Sequence, residues 1–418
     1  MKLTREEEGM LDGKSGAAVQ KAMELLVALG DLYDAEGMVD IASSHLIAPE
    51  LLFRPVGMYV DWVRELAGEL LQGAERFRVP TTMDPVYIEP EFGKKIGYPS
   101  SLMDQVAKAL EQGAAPYRRL GLICNFTCHP YFLHPSRKGQ HLGGAESNAV
   151  VFSNTVFGAM LNRESAPTAL ATALTGRTPL FGMHLPQNRC GETLVELKDD
   201  LKPADFSYSD YGVLSYYAGQ VTGDRIPVFC GLRQEMTLTE LMHLCAPLGV
   251  SAGLAMAHVV GVTPEAPTPE AAFGGRKPKE RIPVGKAEMR QTYQRLSTAT
   301  DEKVDMVAFG CPHATITEIQ EIARLLVGRR VNSKVKLFVS TSEPVRVVAR
   351  DSGLVEAIES AGGLVVSGMC TGPTFLPGRQ AAEIGVKVIA TNSAKLAHYV
   401  YGPGIWLGST KKCVDAAI

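Results

Sequence analysis

The stretch Val304-Asp305-Met306-Val307-Ala308-Phe309-Gly310-Cys311-Pro312-His313-Ala314-Thr315 decides the fold. Residues 304–309 are mostly apolar, the composition of a strand buried on both faces. Gly310 and Pro312 end it in a turn, and a helical pattern starts at Thr315 and runs to position 326. The unit then repeats. Residues 335–339 read as strand, 343–361 as helix, 364–367 as strand, 378–385 as a short helix and 386–391 as strand. Strands and helices alternating at this spacing predict parallel α/β layers. Cys311 stands directly after its strand, at the carboxyl edge where such sheets form ligand sites.

Upstream the alternation reaches back to position 226. Strands are expected over 228–231 and 255–260, around a helix over 239–248 capped by Thr237 and Glu240. The stretch 264–283, rich in Pro, Gly and charge, reads as a boundary or a surface crossing. Nearer the N-terminus, Thr4 and Glu7 form a capping box, and an apolar stripe at helical spacing covers 17–29. A strand-like run over 37–41 ends at a Ser43-Ser44-His45 turn. Residues 57–71 and 100–113 read as helices, 78–82 as a short strand ending in Thr81 and Thr82, and 84–98 as a loop. Residues 120–124 read as a strand that runs into Asn125-Phe126-Thr127-Cys128-His129-Pro130-Tyr131, followed by helices over 147–162, 166–175 and 208–222. The expected division is an N-terminal α/β part over 1–118, a central α/β part over 119–285 and a C-terminal α/β domain over 286–418.

At 418 residues the chain is too long for one ordinary core. Its 42 Lys and Arg and 45 Asp and Glu give a net charge of −3 and are spread along the chain. No basic block is present to track a phosphate backbone, so nucleic acid is excluded as a partner. No apolar run reaches the roughly 20 residues that span a bilayer, so no membrane partner is expected. The polar, acidic start resembles neither a signal nor a transit peptide, and the expected compartment is the cytoplasm.

A disulfide framework is not expected from eight cysteines in a cytoplasmic chain of this length. Three of them share one context. Cys311 follows 304–309, Cys370 follows 364–367 in Ser367-Gly368-Met369-Cys370-Thr371-Gly372-Pro373, and Cys128 follows 120–124. Gly or Pro beside each holds a non-helical turn. Singly, each is also readable as a small residue closing a tight turn. Together, three thiolates at strand ends suit iron or an iron–sulfur centre that keeps one coordination position open. The short Cys-x-x-Cys pairs of structural zinc sites are missing. Cys124, Cys190, Cys230, Cys245 and Cys413 read as structural.

These contexts resemble the catalytic part of aconitase X. The resemblance rests on Thr127-Cys128-His129-Pro130-Tyr131, on Glu146-Ser147-Asn148-Ala149-Val150-Val151-Phe152 with Asn154, and on Asn162-Arg163. It continues through Thr175-Gly176-Arg177-Thr178-Pro179, Gly182-Met183-His184-Leu185, Asn188-Arg189, Gly310-Cys311-Pro312-His313, the Cys370 turn and Thr391-Asn392-Ser393-Ala394-Lys395. It implies an α/β, aconitase-like fold: three α/β domains around a central metal site, with the swivel domain absent from this chain and supplied as a separate small subunit. It also implies a hydro-lyase that dehydrates a small hydroxy acid, with iron as cofactor: a [4Fe-4S] or [2Fe-2S] cluster, or mononuclear iron. Cis-3-hydroxy-L-proline is the expected substrate, with mevalonate 5-phosphate as the alternative. A non-catalytic iron-binding or sensing subunit and a thiol-dependent enzyme are the competing classes.

The resemblance places the metal on Cys128, Cys311 and Cys370. Glu146, His45 and Lys395 are the catalytic candidates, while the base that removes the proton is expected on the swivel subunit. Ser43, Ser44, Thr82, Ser147, Asn154, Asn162, Arg163, Arg177, His184, Arg189 and His313 are the substrate-binding candidates, the arginines as bidentate carboxylate partners. An open polar cleft is expected, lined by Ser43, His45, Glu146, Asn154, Arg163 and Lys395. Two positions depart from the family pattern and bear on the substrate rather than the metal. Met160-Leu161 stands where Arg-Thr is frequent, and Asp84 where Asn is frequent.

Overall fold

Parallel pairing organises the three main sheets of the computed structural model, which describes residues 1–48, 51, 61–300, 303–372, 384–400 and 402–418. In the first sheet, Ser44–Leu46 is central between Thr81–Met83 and Gly143–Gly144. The second has the order His258–Val259, Pro227–Cys230, Thr193–Leu197, Glu280–Val284. The third has the order Gly363–Ser367, Lys336–Thr341, Met306–Phe309, Val388–Thr391, Gly404–Leu407. Its central strand is buried along its whole length, as expected for a parallel strand covered on both faces. A separate antiparallel pair joins Met38–Asp40 to Arg177–Pro179.

Strong local signals set the helix ends. The Thr4/Glu7 and Thr237/Glu240 capping boxes form, and helices Ala166–Thr175 and Tyr208–Thr222 lie where the apolar spacing puts them. Weaker signals were overridden by tertiary context. Residues 120–124 make only one bridge, Ile123 to Thr82, because the segment leaves the sheet at once for the Cys128 turn. The Ser43-Ser44-His45 turn is instead the start of the central strand. The 147–162 helix stops at Phe157, where Gly158 takes a left-handed cap at φ +65°. The 343–361 helix is two, Glu343–Asp351 and Leu354–Ser360, divided at Gly353 with φ +73°. The 100–113 helix runs on to Arg119 through Pro116. The supposed linker 264–283 contributes the edge strand Glu280–Val284 to the second sheet. Position 118/119 falls within the span of the first sheet, since Gly143–Gly144 pairs with Ser44–His45. Residues 57–60 and 378–383, parts of two expected helices, lie outside the described residues. Among the described residues no helix is long and apolar enough to cross a membrane.

The second and third sheets are joined through their helices. His243 on Leu238–Ser251 meets Glu318 on Ile316–Leu326 at 2.8 Å, and both side chains are almost fully buried. The Tyr208 ring stacks on His243, and Thr239 bonds Thr315 and Thr317, each at 2.9 Å. Glu318 also closes the capping box of its own helix. Replacing His243 with Ala leaves that carboxylate buried without its partner, a loss of about 3–5 kcal/mol when the pair is ionised. His243→Ala is therefore expected to lower the denaturant midpoint and split the third sheet's unfolding from the rest. A single transition at the wild-type midpoint would rule the joint out.

Candidate metal centre

The carboxyl edges of the first and third sheets face one another across a cavity of about 230 Å³. The first sheet brings Ile47 directly after Ser44–Leu46, Asp84 directly after Thr81–Met83, and Glu146 and Ser147 just beyond Gly143–Gly144. The third brings Gly310 and Cys311 after Met306–Phe309, Cys370 after Gly363–Ser367, and Lys395 just beyond Val388–Thr391. Cys128, His313, Arg163, Glu164, Thr371 and Tyr399 complete the wall. Every lining residue comes from these two parts of the chain and none from 191–294.

The cysteine turns are stitched to each other. The His313 backbone N–H donates to Cys128 Sγ at 3.2 Å, and His313 Nε2 donates to the Met369 carbonyl at 2.8 Å. Asn148 holds the Cys128 carbonyl at 2.9 Å. The Cys370 N–H donates to Val86 at 2.7 Å, which docks the third sheet on the loop after Asp84. Gly310 has φ +98°, and a Cβ there would lie 2.0 Å from the Ser340 carbonyl oxygen, so only glycine lets the strand deliver Cys311 at this point. Burial pushes all three thiols up, Cys311 to about 11 and Cys128 and Cys370 well above the usual thiol range. Lys395 acts in the opposite sense on all three. Among the described residues no three His, Cys, Asp or Glu side chains are gathered to hold a bare metal ion.

The electrostatic centre is Lys395 Nζ, which donates to Glu146 Oε1 at 2.5 Å with both side chains buried. Burial alone would raise Glu146. The Lys395 charge, with bonds from Lys395 and the Asn148 and Ala149 N–H groups, outweighs it and holds the carboxyl below its usual value. Glu146 has φ +84°, a region that costs a non-glycine residue about 1–3 kcal/mol. Asp84 is pushed up to about 6 by burial. His45 Nε2 stands 3.6 Å from Asp84 Oδ1, too far for a hydrogen bond, while His45 Nδ1 meets Thr82 Oγ1 at 2.8 Å. Burial raises Glu164 to about 8; Thr178 donates to one of its oxygens at 3.2 Å, and the other, Oε2, has no partner.

Of the candidates from sequence, Cys128, Cys311, Cys370, Glu146, Lys395, Ser147, Arg163 and His313 line this cavity. His45 and Thr82 sit behind Asp84 and line a separate space of about 30 Å³ with Ser43 and Ser44. Several others are placed elsewhere, each by a stronger local partner. Ser44 bonds Ala169 and Thr172. Asn154 holds Leu161 and Ala255, and Arg189 is spent on Glu265 and Asn154. Arg177 is tied to Glu6, Glu7 and Asp40. His184 pairs with His141 at 3.0 Å. Asn162 bonds Phe181 and Met183 on a neighbouring cleft of about 820 Å³ that shares Arg163 and Glu164 with the cavity. The expected cleft thus keeps Glu146, Arg163 and Lys395 and loses Ser43, His45 and Asn154.

Sequence reasoning missed Glu164 and Tyr399 as wall residues and named Asp84 only as a departure bearing on the substrate. Asp84 carried a signal as a carboxyl directly after a strand. Tyr399 lies four residues after Lys395, on the same helical face. Glu164 carried none beyond its adjacency to Arg163.

Family models of aconitase X match three parts of the chain: the first domain over 1–187, the second over 191–294 and the third over 304–418. The chain is similar to a cis-3-hydroxy-L-proline dehydratase of Pseudomonas aeruginosa, 33% identical over 99% of this chain and 69% of that protein. It is also similar to phosphomevalonate dehydratase large subunits. That of Methanocaldococcus jannaschii is 32% identical over 96% of this chain and 95% of its own length. That of Thermococcus kodakarensis is 34% identical over 96% and 95%. The crystal structure of Thermococcus kodakaraensis aconitase X in its holo-form superposes with a TM-score of 0.85 at 32% identity, covering 100% of both chains.

Two outcomes follow. Replacing Cys128, Cys311 or Cys370 singly by Ser should lower bound iron after anaerobic reconstitution, whereas Cys413→Ser should not; unchanged iron in the first three would refute the ligand set. The second outcome concerns pH. Glu164 titrates at 4.5 ordinarily and at about 8 in the folded chain, so the native state holds the extra proton between those values. Stability from this group is full below the lower value and lost as pH rises toward the upper. Wild type should therefore lose denaturant resistance relative to Glu164→Gln between about pH 5 and about pH 8.5. Parallel profiles would show that the carboxyl is not held protonated.

Proposed function

The chain belongs to the aconitase X family and is a hydro-lyase of the aconitase superfamily; we propose that it dehydrates cis-3-hydroxy-L-proline as the large subunit of a two-subunit enzyme. The observation that carries this choice of substrate is the shortage of unpaired cations on the cavity wall. Asp84, Glu146 and Glu164 stand there against Arg163 and Lys395, and Lys395 is already paired. A hydroxy imino acid, zwitterionic at neutral pH, suits such a wall. Among the described residues, a phosphate dianion would find on this wall one cation, Arg163, not already paired with a carboxylate.

The cofactor in this reading is an iron–sulfur centre on Cys128, Cys311 and Cys370. Three thiols around a 230 Å³ cavity, with no grouping for a bare ion among the described residues, favour a multi-atom cluster over mononuclear iron. Such a centre, when bound, supplies a Lewis acid for a substrate oxygen. The remaining work belongs to the protein. Arg163 binds the substrate carboxylate through its planar fork. The Glu146 pairing keeps Lys395 charged and fixed, and Ser147 donates to the same carboxylate at 3.1 Å. Asp84, at about 6, is the carboxyl of this chain able to take or return a proton near neutrality, with His45 behind it. Closure over the open side, and the principal base, are assigned to a small swivel-like subunit.

A second reading is mevalonate 5-phosphate. It is favoured by relatives named as large subunits of phosphomevalonate dehydratase, which this chain matches over 94–97% of their length. Reconstituted with iron, sulfide and the small subunit, the enzyme should turn over cis-3-hydroxy-L-proline with kcat/KM at least about 100-fold above mevalonate 5-phosphate, equivalent to about 2.7 kcal/mol of transition-state preference. The large subunit alone should be nearly inactive. The reverse preference would establish the second reading, and dehydration of neither would sink both.

A further inference from the structure

We propose that Glu164 is the specificity residue of this site, binding a cationic nitrogen of the substrate. The inference rests on the imino-acid reading above and deepens it. Glu164 lines the three-cysteine cavity at its junction with the larger cleft, and it is one of two carboxyls of the wall, with Asp84, that keep a buried oxygen without a hydrogen-bond partner. Glu146 is held by Lys395 and two backbone N–H groups, and Asp84 Oδ1 faces His45 Nε2 at 3.6 Å. Among the described residues no imidazole or cation acts on Glu164, which alone of the three also lines the larger cleft. Glu164 has the Thr178 hydroxyl on Oε1 and nothing on Oε2, although that oxygen is buried. A buried carboxyl oxygen left without a donor is destabilising unless a ligand supplies one.

The donor that fits is an ammonium. The groups acting on Glu164 are burial, Thr178 and the Gly144 backbone, and no basic side chain is among them. The other charged groups facing it are Asp84, Glu146 and Lys395 across the cavity, its neighbour Arg163, and Asp34 and Glu36 across the outer cleft. Carboxyls outnumber cations in that set. With the site empty the carboxyl keeps its proton up to about pH 8. A docking ammonium favours the carboxylate, so the proton leaves to solvent as an N⁺–H···O⁻ bond forms. A phosphorylated acid brings no ammonium for Glu164 to pair with, so the residue favours the imino acid over it.

The experiment compares two unreactive probes on the reconstituted two-subunit enzyme by calorimetry: L-proline, and cyclopentanecarboxylate, which lacks the nitrogen. Wild type should bind L-proline more tightly. Glu164→Gln should weaken L-proline by about 10- to 100-fold, the effect of losing a charge-assisted hydrogen bond, and leave cyclopentanecarboxylate unchanged. Wild type measured in two buffers at about pH 7 should release close to one proton with L-proline and none with cyclopentanecarboxylate; this needs no variant. Equal weakening of both probes by Glu164→Gln, or wild-type binding of L-proline without proton release, would overturn the inference. The substrate reading fails separately, by absence of cis-3-hydroxy-L-proline turnover in wild type. Turnover with an unchanged KM in Glu164→Gln would sink the Glu164 assignment alone.

Discussion

The ion pair between Glu146 and Lys395 joins the carboxyl edge of one sheet to the carboxyl edge of another, and the site is arranged around it. Each partner is buried, so neither is tolerable alone: an unpaired buried charge is far more costly than an exposed one. The pair holds Glu146 at a backbone angle that disfavours side chains, and it sets Lys395 where its charge acts on all three cysteines. A buried pair of this kind is weak evidence for stability as such. Its consequence here is geometric, because it ties together two units that also meet through backbone bonds at Val86 and Gly368, through His313 and through the Phe92 and Phe338 rings.

The second sheet contributes no wall residue, yet the site leans on it. Helix Leu238–Ser251 packs behind helix Ser147–Phe157, the helix that Glu146 caps. Gly249 permits this approach, since a Cβ there would lie 2.7 Å from the Ser147 carbonyl oxygen. The His243–Glu318 joint then ties the same helix to the third sheet. One helix thereby braces both halves of the cavity from outside. The charge of the wall has a related origin. Burial raises Asp84 and Glu164, while a close cation lowers Glu146, so three carboxyls in one cavity hold three different proton affinities.

Legibility in the sequence followed the range of the interaction. Caps were readable because a capping box is settled within four residues, as at Thr237 and Glu240. The inner strands of the third sheet were readable because they are buried and composition alone marks them, whereas the half-buried edge strand Gly404–Leu407 was not read. The first sheet was legible only near Thr81–Met83, which the expected strand over 78–82 overlaps: its strands have two or three residues each, too short for a period to register, and Ser44–Leu46 read as a turn. Arginines were the least legible side chains. Arg163, Arg177 and Arg189 sit in similar motif contexts, but only Arg163 reaches the cavity, because Glu6, Glu7 and Asp40 hold one and Glu265 the other.

By itself the sequence determined the alternating α/β order, the strand-end position of Cys311 and Cys370, and a family resemblance whose motifs run from Cys128 to Lys395. These are local facts, carried by periodicity, by Gly and Pro at fixed offsets, and by short motifs. Which carboxyls share the cavity was decided only by the tertiary structure. Asp84, Glu146 and Glu164 come from three separate segments, and burial raises Asp84 and Glu164 while Lys395, from a distant segment, lowers Glu146. Burial and through-space charge have no period along a sequence; they exist once two sheet edges have closed on the same few hundred cubic ångströms.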